Sequence, residues 1–316
     1  MLSRRNFVLS SAVLAAPAVA RASAEPFTLL LDWFVNPDHA PLFAAVYSGA
    51  FARAGLEVKL IAPTDPDVPP RLVGAGQVEA CLGYQPQLYL LVDAGLPVKR
   101  VATLIDKPLN TLTALKESGI AKLADLKGRK IGYSVEGVER VLIGTMLKNV
   151  GLTLADVTLV NVNFNLVTAL QAKEVDAVIG TFRTYEDIQL AQAGLSPVIF
   201  APEDYGVPQS DELLILANAR LAEGVKIKRF VGALTEGVAA LAKDPEGMKA
   251  AFIKGNPSLN DRLDLAAWEA LVPGYFAPQP GALDAAKYLR YRDFLAGNGL
   301  IKRKLPLSEY AVAVAA

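Results

Sequence analysis

The chain has little from which redox or metal chemistry is usually built. Its 316 residues include one cysteine, Cys81, and one histidine, His39. A lone cysteine excludes an intrachain disulfide and any cysteine-cluster metal site. A lone histidine excludes multi-histidine zinc sites and leaves at most one place for a Ser-His-Asp arrangement. Blocks of like charge are missing too: basic and acidic residues number 32 each, so strong electrostatic attraction to nucleic acid is not expected. There is no G-x-S-x-G, no H-E-x-x-H, no Walker loop and no Rossmann glycine fingerprint. Gly74-Ala75-Gly76 is a single glycine cluster suited to ending a helix.

What is present begins at the N-terminus. Ser3-Arg4-Arg5-Asn6-Phe7-Val8-Leu9 places paired arginines before an apolar run through Ala20, and Ala22-Ser23-Ala24 supplies the small residues that a signal peptidase requires. Residues 1–24 therefore have the form of a twin-arginine signal. A bilayer span needs about 20 apolar residues, and this run is shorter and interrupted by Pro17. Cleavage after Ala24 removes three arginines and no acid, leaving three more acids than bases, a mild solubility charge. With no cysteine nearby to carry a lipid, the expected product is soluble and periplasmic.

After the signal, apolar β-rich runs alternate with helical patterns and glycine punctuation, the rhythm of an α/β fold with parallel sheet and crossover helices. Strands are expected at 27–33, 56–61, 80–84 and 98–105, with helices at 41–47, from Pro69 and from Pro86, where a proline's missing N–H costs nothing. A second unit begins near Asn110, with strands before Ser134, at 158–162, 177–180 and 197–200, and helices at 138–150 and from Asn165. Residues 213–217 form a further strand, and amphipathic helices at 230–242, 265–271 and 283–295 then cover the first unit. The expected organisation is two α/β lobes, 25–108 with 205–316 and an inserted 109–204. The chain crosses between them near 106–111 and 202–211, which makes a hinge. Ligands of open α/β sheets bind beyond the carboxyl ends of strands.

Polar and aromatic residues recur at those ends: Asp32-Trp33, Tyr84-Gln85, Ser134, Asn163 with Asn165, and Thr181 with Arg183. Each alone suits a helix cap or turn; together they point to a small-molecule site. Trp33 offers a flat stacking face at low cost in side-chain rotation. Asp32 suits either a turn cap or acceptance of hydrogen bonds from a ligand amine. His39, in the turn Asn36-Pro37-Asp38-His39, suits a helix-start hydrogen bond or a ligand contact equally. Asn165 is a candidate N-cap whose neighbouring amides can also meet a polar ligand. Arg183 and Glu186 are expected as a solvated pair on a helix face, and Glu212, ahead of an apolar strand at the second crossing, as a strand-edge charge or a cleft residue.

The run Leu31-Asp32-Trp33-Phe34-Val35-Asn36-Pro37-Asp38-His39-Ala40-Pro41-Leu42 resembles the NMT1/THI5-like group, substrate-binding proteins related to the enzymes of thiamine pyrimidine synthesis. Leu126 to Ser134, Val160 to Leu166, Val175 to Gly180, and Gly206-Val207-Pro208 with Asp211-Glu212-Leu213 continue the resemblance in order, so that it spans about Phe27 to Leu221. It implies a type II periplasmic binding protein, monomeric and without a cofactor, that delivers a thiamine-related aminopyrimidine of hydroxymethyl or formylamino type to an inner-membrane ABC permease. The family-like positions are Asp32, Trp33, His39, Tyr84, Gln85, Asn165 and Glu212, with Asp32 and Glu212 as acceptors for paired ring N–H groups. One departure is the loop Val135-Glu136-Gly137-Val138-Glu139, which keeps a single glycine where the group is glycine-rich. The family's enzymes consume a histidine and a lysine-bound cofactor. Gly83 occupies the place of that lysine and Gln87 that of the histidine, and a cysteine cluster is missing, so the resemblance favours a binding protein over a synthase. The same fold could carry riboflavin or a sulfonate instead.

Overall fold

The computed structural model describes residues 24–315 apart from 273. The paired arginines and apolar run of the expected export signal lie outside the described residues. Two five-stranded sheets organise the rest. Strands β1 (Glu25–Leu30), β2 (Leu56–Ile61), β3 (Ala80–Tyr84) and β4 (Val98–Ile105) belong to the first. Strands β5 (Asn110–Leu115), β6 (Lys130–Tyr133), β7 (Thr158–Asn161), β8 (Ala177–Phe182) and β9 (Pro197–Phe200) form the second. Finally β10 (Leu213–Asn218) returns to the first sheet, giving the orders β2-β1-β3-β10-β4 and β7-β6-β8-β5-β9.

Neither sheet is purely parallel, which corrects the reading from periodicity. β10 runs antiparallel to β3 and β4, and β5 antiparallel to β8 and β9. The reason is connectivity. A parallel neighbour needs a crossover helix, whereas β5 and β10 each enter straight from the other sheet. β5 was not anticipated as a strand, although its Asn-Thr-Leu-Thr-Ala-Leu run alternates hydroxyl and apolar residues.

The helices at the carboxyl half pack as their patterns require. Helix Val225–Lys243 lays Phe230 flat on Phe27, with centroids 4.3 Å apart and 4° between planes, and beside Phe51 at 5.0 Å. Full burial of each ring stabilises by roughly 1.5–3 kcal/mol. The same helix approaches helix Ala40–Tyr47 so closely that a Cβ on Gly237 would stand 2.6 Å from that of Ala45. On the opposite face of the first sheet, helix Ala285–Gly297 brings Tyr288 and Tyr291 against Tyr89, whose hydroxyl donates to the Tyr288 carbonyl at 2.7 Å. These layers fix the ends of β1 and β3, where the polar residues gather.

Candidate functional site

Just past β1 the chain turns sharply. Asn36 is extended and its side chain accepts from the Asp38 N–H at 2.7 Å, while the Asn36 N–H reaches His39 Nδ1 at 3.3 Å. Pro37 occupies the first position of the short 3-10 turn, where its lack of an N–H is harmless. Because Nδ1 accepts, the imidazole proton sits on Nε2, and it is donated to Asp32 Oδ1 at 3.0 Å. The Tyr84 hydroxyl, at the end of β3, donates to the other Asp32 oxygen at 2.8 Å. Burial, together with the adjacent Asp32 charge, pushes that phenol's pKa well above its ordinary value. Asp32 is thus held from both sides.

Between the sheets lies a cleft of about 570 Å³, including its open mouth. From the first sheet it is lined by Asp32, Trp33, Asn36, Asp38 and Tyr84. Across from them stand Tyr133, Ser134, Glu139, Phe182 and Glu186, with Asn110 at the crossing. Four lining residues are carboxyl-bearing, and none is lysine, arginine or histidine. Among the described residues no group of three or more His, Cys, Asp or Glu side chains is arranged to hold a metal ion.

Apart from Asp32, these carboxyls are poorly satisfied. Asp38 is 2% exposed, yet its Oδ1 has no hydrogen-bond partner. Burial, reinforced by Glu186, Asp32 and Glu212, pushes it well above the usual carboxylate range. Glu186 starts helix Glu186–Gln192 and accepts the Phe182 N–H at 2.8 Å. Burial, with repulsion from Asp187 and Asp32, raises it to about 7. Glu139, in the first turn of helix Val138–Asn149, is also 2% exposed, and neither of its oxygens has a hydrogen-bond partner. Arg140 approaches with Nε 3.4 Å from Oε1, the backbone N–H groups of Gly137, Glu139 and Arg140 at the helix start lie near the carboxyl without closing a hydrogen bond, and burial raises it. Asn110 Oδ1 is likewise buried and unpaired. Every such orphan on the cleft wall is an acceptor.

Trp33 is a half-buried aromatic of the cleft wall. Its ring meets Phe164 of the opposite sheet edge-on at 4.6 Å, and Phe164 also lies 4.8 Å from Phe34. Polar bonds also join the two units: the Glu136 N–H donates to Asp67 Oδ1 at 3.0 Å, and the Tyr185 hydroxyl to Asp264 Oδ1 at 3.2 Å.

Of the residues singled out in the sequence, Asp32, Trp33, Asn36, Tyr84 and Ser134 line this cleft. The others do not line it. His39 is fully buried and orients Asp32. Gln85 accepts the Asp211 N–H at 2.7 Å. Thr181 joins Thr111 and Thr113 in a buried hydroxyl cluster. Asn163 is exposed in the left-handed region at φ 51°, its carbonyl accepting from the Ser134 hydroxyl. Asn165 is exposed at the N-cap position without a side-chain cap bond. Glu212 accepts the Leu109 and Asn110 N–H groups at 2.6 and 2.9 Å, and burial raises it to about 7. It lines a smaller neighbouring cavity together with Tyr84 and Asn110.

The expected Arg183–Glu186 surface pair does not form. Arg183 turns away to the carbonyls of Leu109 and Asn110 and pairs with Glu203 at 2.9 Å, which leaves Glu186 8% exposed on the cleft wall. Asp38, Asn110, Tyr133 and Glu139 were likewise not recognised as lining residues. For Asp38 a signal existed, since the turn that aims Asp32 also aims it.

Two mixed α/β sheets linked by two crossings, with a ligand-sized cleft between them, define the type II periplasmic binding protein fold. The alkanesulfonate-binding protein SsuA of Xanthomonas axonopodis pv. citri shares it, with a TM-score of 0.71 over 92% of this chain and 99% of that one at 16% identity. The chain belongs to the NMT1/THI5-like family, whose model matches residues 36–248. A Haemophilus influenzae protein named for thiamine biosynthesis is 44% identical over 92% of both chains. The formylaminopyrimidine-binding protein of Halalkalibacterium halodurans is 34% identical over 70% of this chain and 68% of its own. The 4-amino-5-hydroxymethyl-2-methylpyrimidine phosphate synthase of Uromyces fabae is 29% identical over 77% of this chain and 74% of its own.

Proposed function

We propose that this protein is the exported substrate-binding component of an ABC importer and holds a thiamine-related aminopyrimidine in the cleft. The observation that carries this reading is the chemistry of the walls. Unpaired buried acceptors and a carboxyl cluster face the space, no lining cation opposes them, and Trp33 stands on the wall. A flat heterocycle with an exocyclic amine satisfies that combination. Its ring covers an aromatic face, and its adjacent N–H groups give a carboxylate paired, charge-assisted hydrogen bonds. Glu186 and Asp38 join Asp32 as candidates for that acceptor, while Glu212 serves the crossing. In the same reading, 25–108 with 205–316 closes against 109–204 around the ligand, and the closed form is what a permease meets.

Two other readings fit less well. A sulfonate would set its negative charge against four carboxyl-bearing residues. For a synthase, the position that resembles the enzymes' cofactor lysine is Gly83, where a Cβ would stand 2.8 Å from Leu216 Cδ1 and 3.1 Å from Gln87 Oε1. A lysine-bound cofactor therefore lacks its anchor, and a side chain there would have to displace Leu216 and Gln87.

Melting the protein with a panel of hydroxymethyl-, aminomethyl- and formylaminomethyl-pyrimidines tests the proposal. Ligand at 100 times its dissociation constant should stabilise the fold by about 2.7 kcal/mol, and Trp33→Ala should abolish the shift while keeping the unliganded melting temperature. An unmoved transition across the panel rejects the reading, as would a pyrimidine product released on incubation with pyridoxal phosphate.

A further inference from the structure

We propose that the cargo is a cationic pyrimidine, carrying a protonated amine on its substituent, and that Glu139 is the residue that reads the amine. This rests on the pyrimidine reading above and deepens it. Asp38, Asp32 and Glu186 form one carboxyl focus, two of them on the turn after β1 and the third at the start of the helix that follows β8, and one edge of an aminopyrimidine is enough to meet such a focus. Glu139 enters separately, from the first turn of helix Val138–Asn149 beside Tyr133.

Glu139's position is built, not incidental. Gly137, at φ 89°, lets the loop approach so near the first unit that a Cβ there would stand 2.8 Å from Leu90 Cδ1. The loop thus brings Glu139 inward and leaves both of its oxygens buried without a hydrogen-bond partner. Its sequence neighbour Arg140 leaves most of its side chain in solvent and sits 3.4 Å from Oε1 without a hydrogen bond.

Donor counting then separates the possible substituents. A hydroxymethyl group offers one O–H and a formamide one N–H, so either leaves a Glu139 oxygen unsatisfied. An ammonium group offers three N–H donors and the opposite charge. Burying an unpaired charge is costly, whereas pairing it with a hydrogen-bonded countercharge offsets that cost. The raised carboxyls of the cleft give a second signature: a cation that pairs with them displaces their protons.

Isothermal titration at pH 7 with the aminomethyl, hydroxymethyl and N-formylaminomethyl forms of one 4-amino-2-methylpyrimidine tests this. The aminomethyl form should bind at least tenfold tighter than either neutral form. Its heat should vary with the buffer's ionisation enthalpy in the sense of proton release. Glu139→Gln should collapse the affinity ratio to within about threefold, and the hydroxymethyl form's melting shift would show that the variant is folded. Equal or tighter binding of a neutral form, or a ratio unmoved by Glu139→Gln, overturns the cation inference and leaves the pyrimidine reading intact. Failure of all three ligands to bind overturns both.

Discussion

Two buried carboxyl groups beside the first sheet have been treated very differently. Asp211 accepts from the Thr103 hydroxyl at 2.7 Å, the Tyr288 hydroxyl at 3.0 Å and Lys287 Nζ at 2.6 Å. Beneath it the fully buried Arg100 donates to Thr103 and to the carbonyls of Pro280 and Val312. Asp38 is no more exposed, yet its Oδ1 is bonded to nothing. A fold able to surround one buried carboxylate with three donors is able to do so for another. That it leaves Asp38 Oδ1 and both Glu139 oxygens unpaired on the cleft wall is what a ligand bringing its own donors requires.

The sharpest way to break this contrast is to delete each side in turn. Asp211→Ala strips Lys287, Thr103 and Tyr288 of their shared acceptor, and stability should fall by about 3–5 kcal/mol. Urea denaturation measures the fall, and pyrimidine affinity of the folded fraction should change less than about threefold. A loss below about 1 kcal/mol would mean that the network is ornamental.

Glu186→Gln asks the opposite question. The variant keeps an acceptor for the Phe182 N–H while removing a charge that burial and repulsion disfavour, so the unliganded protein should melt no lower than the parent. Ligand binding should weaken by roughly 10- to 100-fold, the worth of a charge-assisted hydrogen bond of about 1.5–3 kcal/mol. If Glu186→Gln unfolds the protein more readily and leaves affinity intact, the two regions are alike after all.

Acidity provides a third, smaller test. Glu186 and Glu212 are held at about 7 in the folded chain, against about 4.3 for an unperturbed glutamate. Between those values the native state binds more protons than the unfolded one, so stability must fall as pH rises. The stabilisation from these groups is full below about 4.3 and lost as pH passes 7. The unliganded melting temperature should therefore decline from pH 5 to pH 7.5, and Glu186→Gln should flatten the decline. A melting temperature that climbs across that interval would contradict the burial assigned to both groups.

How much of this was legible in the sequence follows from what each feature depends on. Strands β2 and β3 and the helix after Ser134 depend on local alternation, on prolines at helix starts and on glycines at turns, and all were readable. The reversal of β5 and β10 depends on which strand the incoming chain meets, which periodicity does not encode. Asp32, Trp33 and Tyr84 could be found because they follow strand ends. Glu186 could not, because an Arg-x-x-Glu spacing describes a solvated pair until Arg183 is seen to spend its donors on Leu109, Asn110 and Glu203. His39 shows the converse: a rare residue in a matching motif, it acts one layer back by fixing Asp32.

The smallest expected effect concerns the aromatic residues of the cleft, where the contrast becomes one between a polar floor and an apolar rim. Phe164 touches Trp33 edge-on and lies against Phe34, so its ring links the two sheets only while they are together. An aromatic pair of this kind contributes about 0.5–1.5 kcal/mol beyond its buried area. The contact exists only with the two units together, so its loss should weaken the closed arrangement. Phe164→Ala should then raise the ligand dissociation rate by about 3- to 10-fold, with little change in association rate. Stopped-flow fluorescence can follow this, since Trp33 is one of only two tryptophans in the chain. An unchanged dissociation rate would confine the holding of the ligand to the acceptors below, and a loss expressed mainly in association would mean that the rim guides entry without closing over the guest.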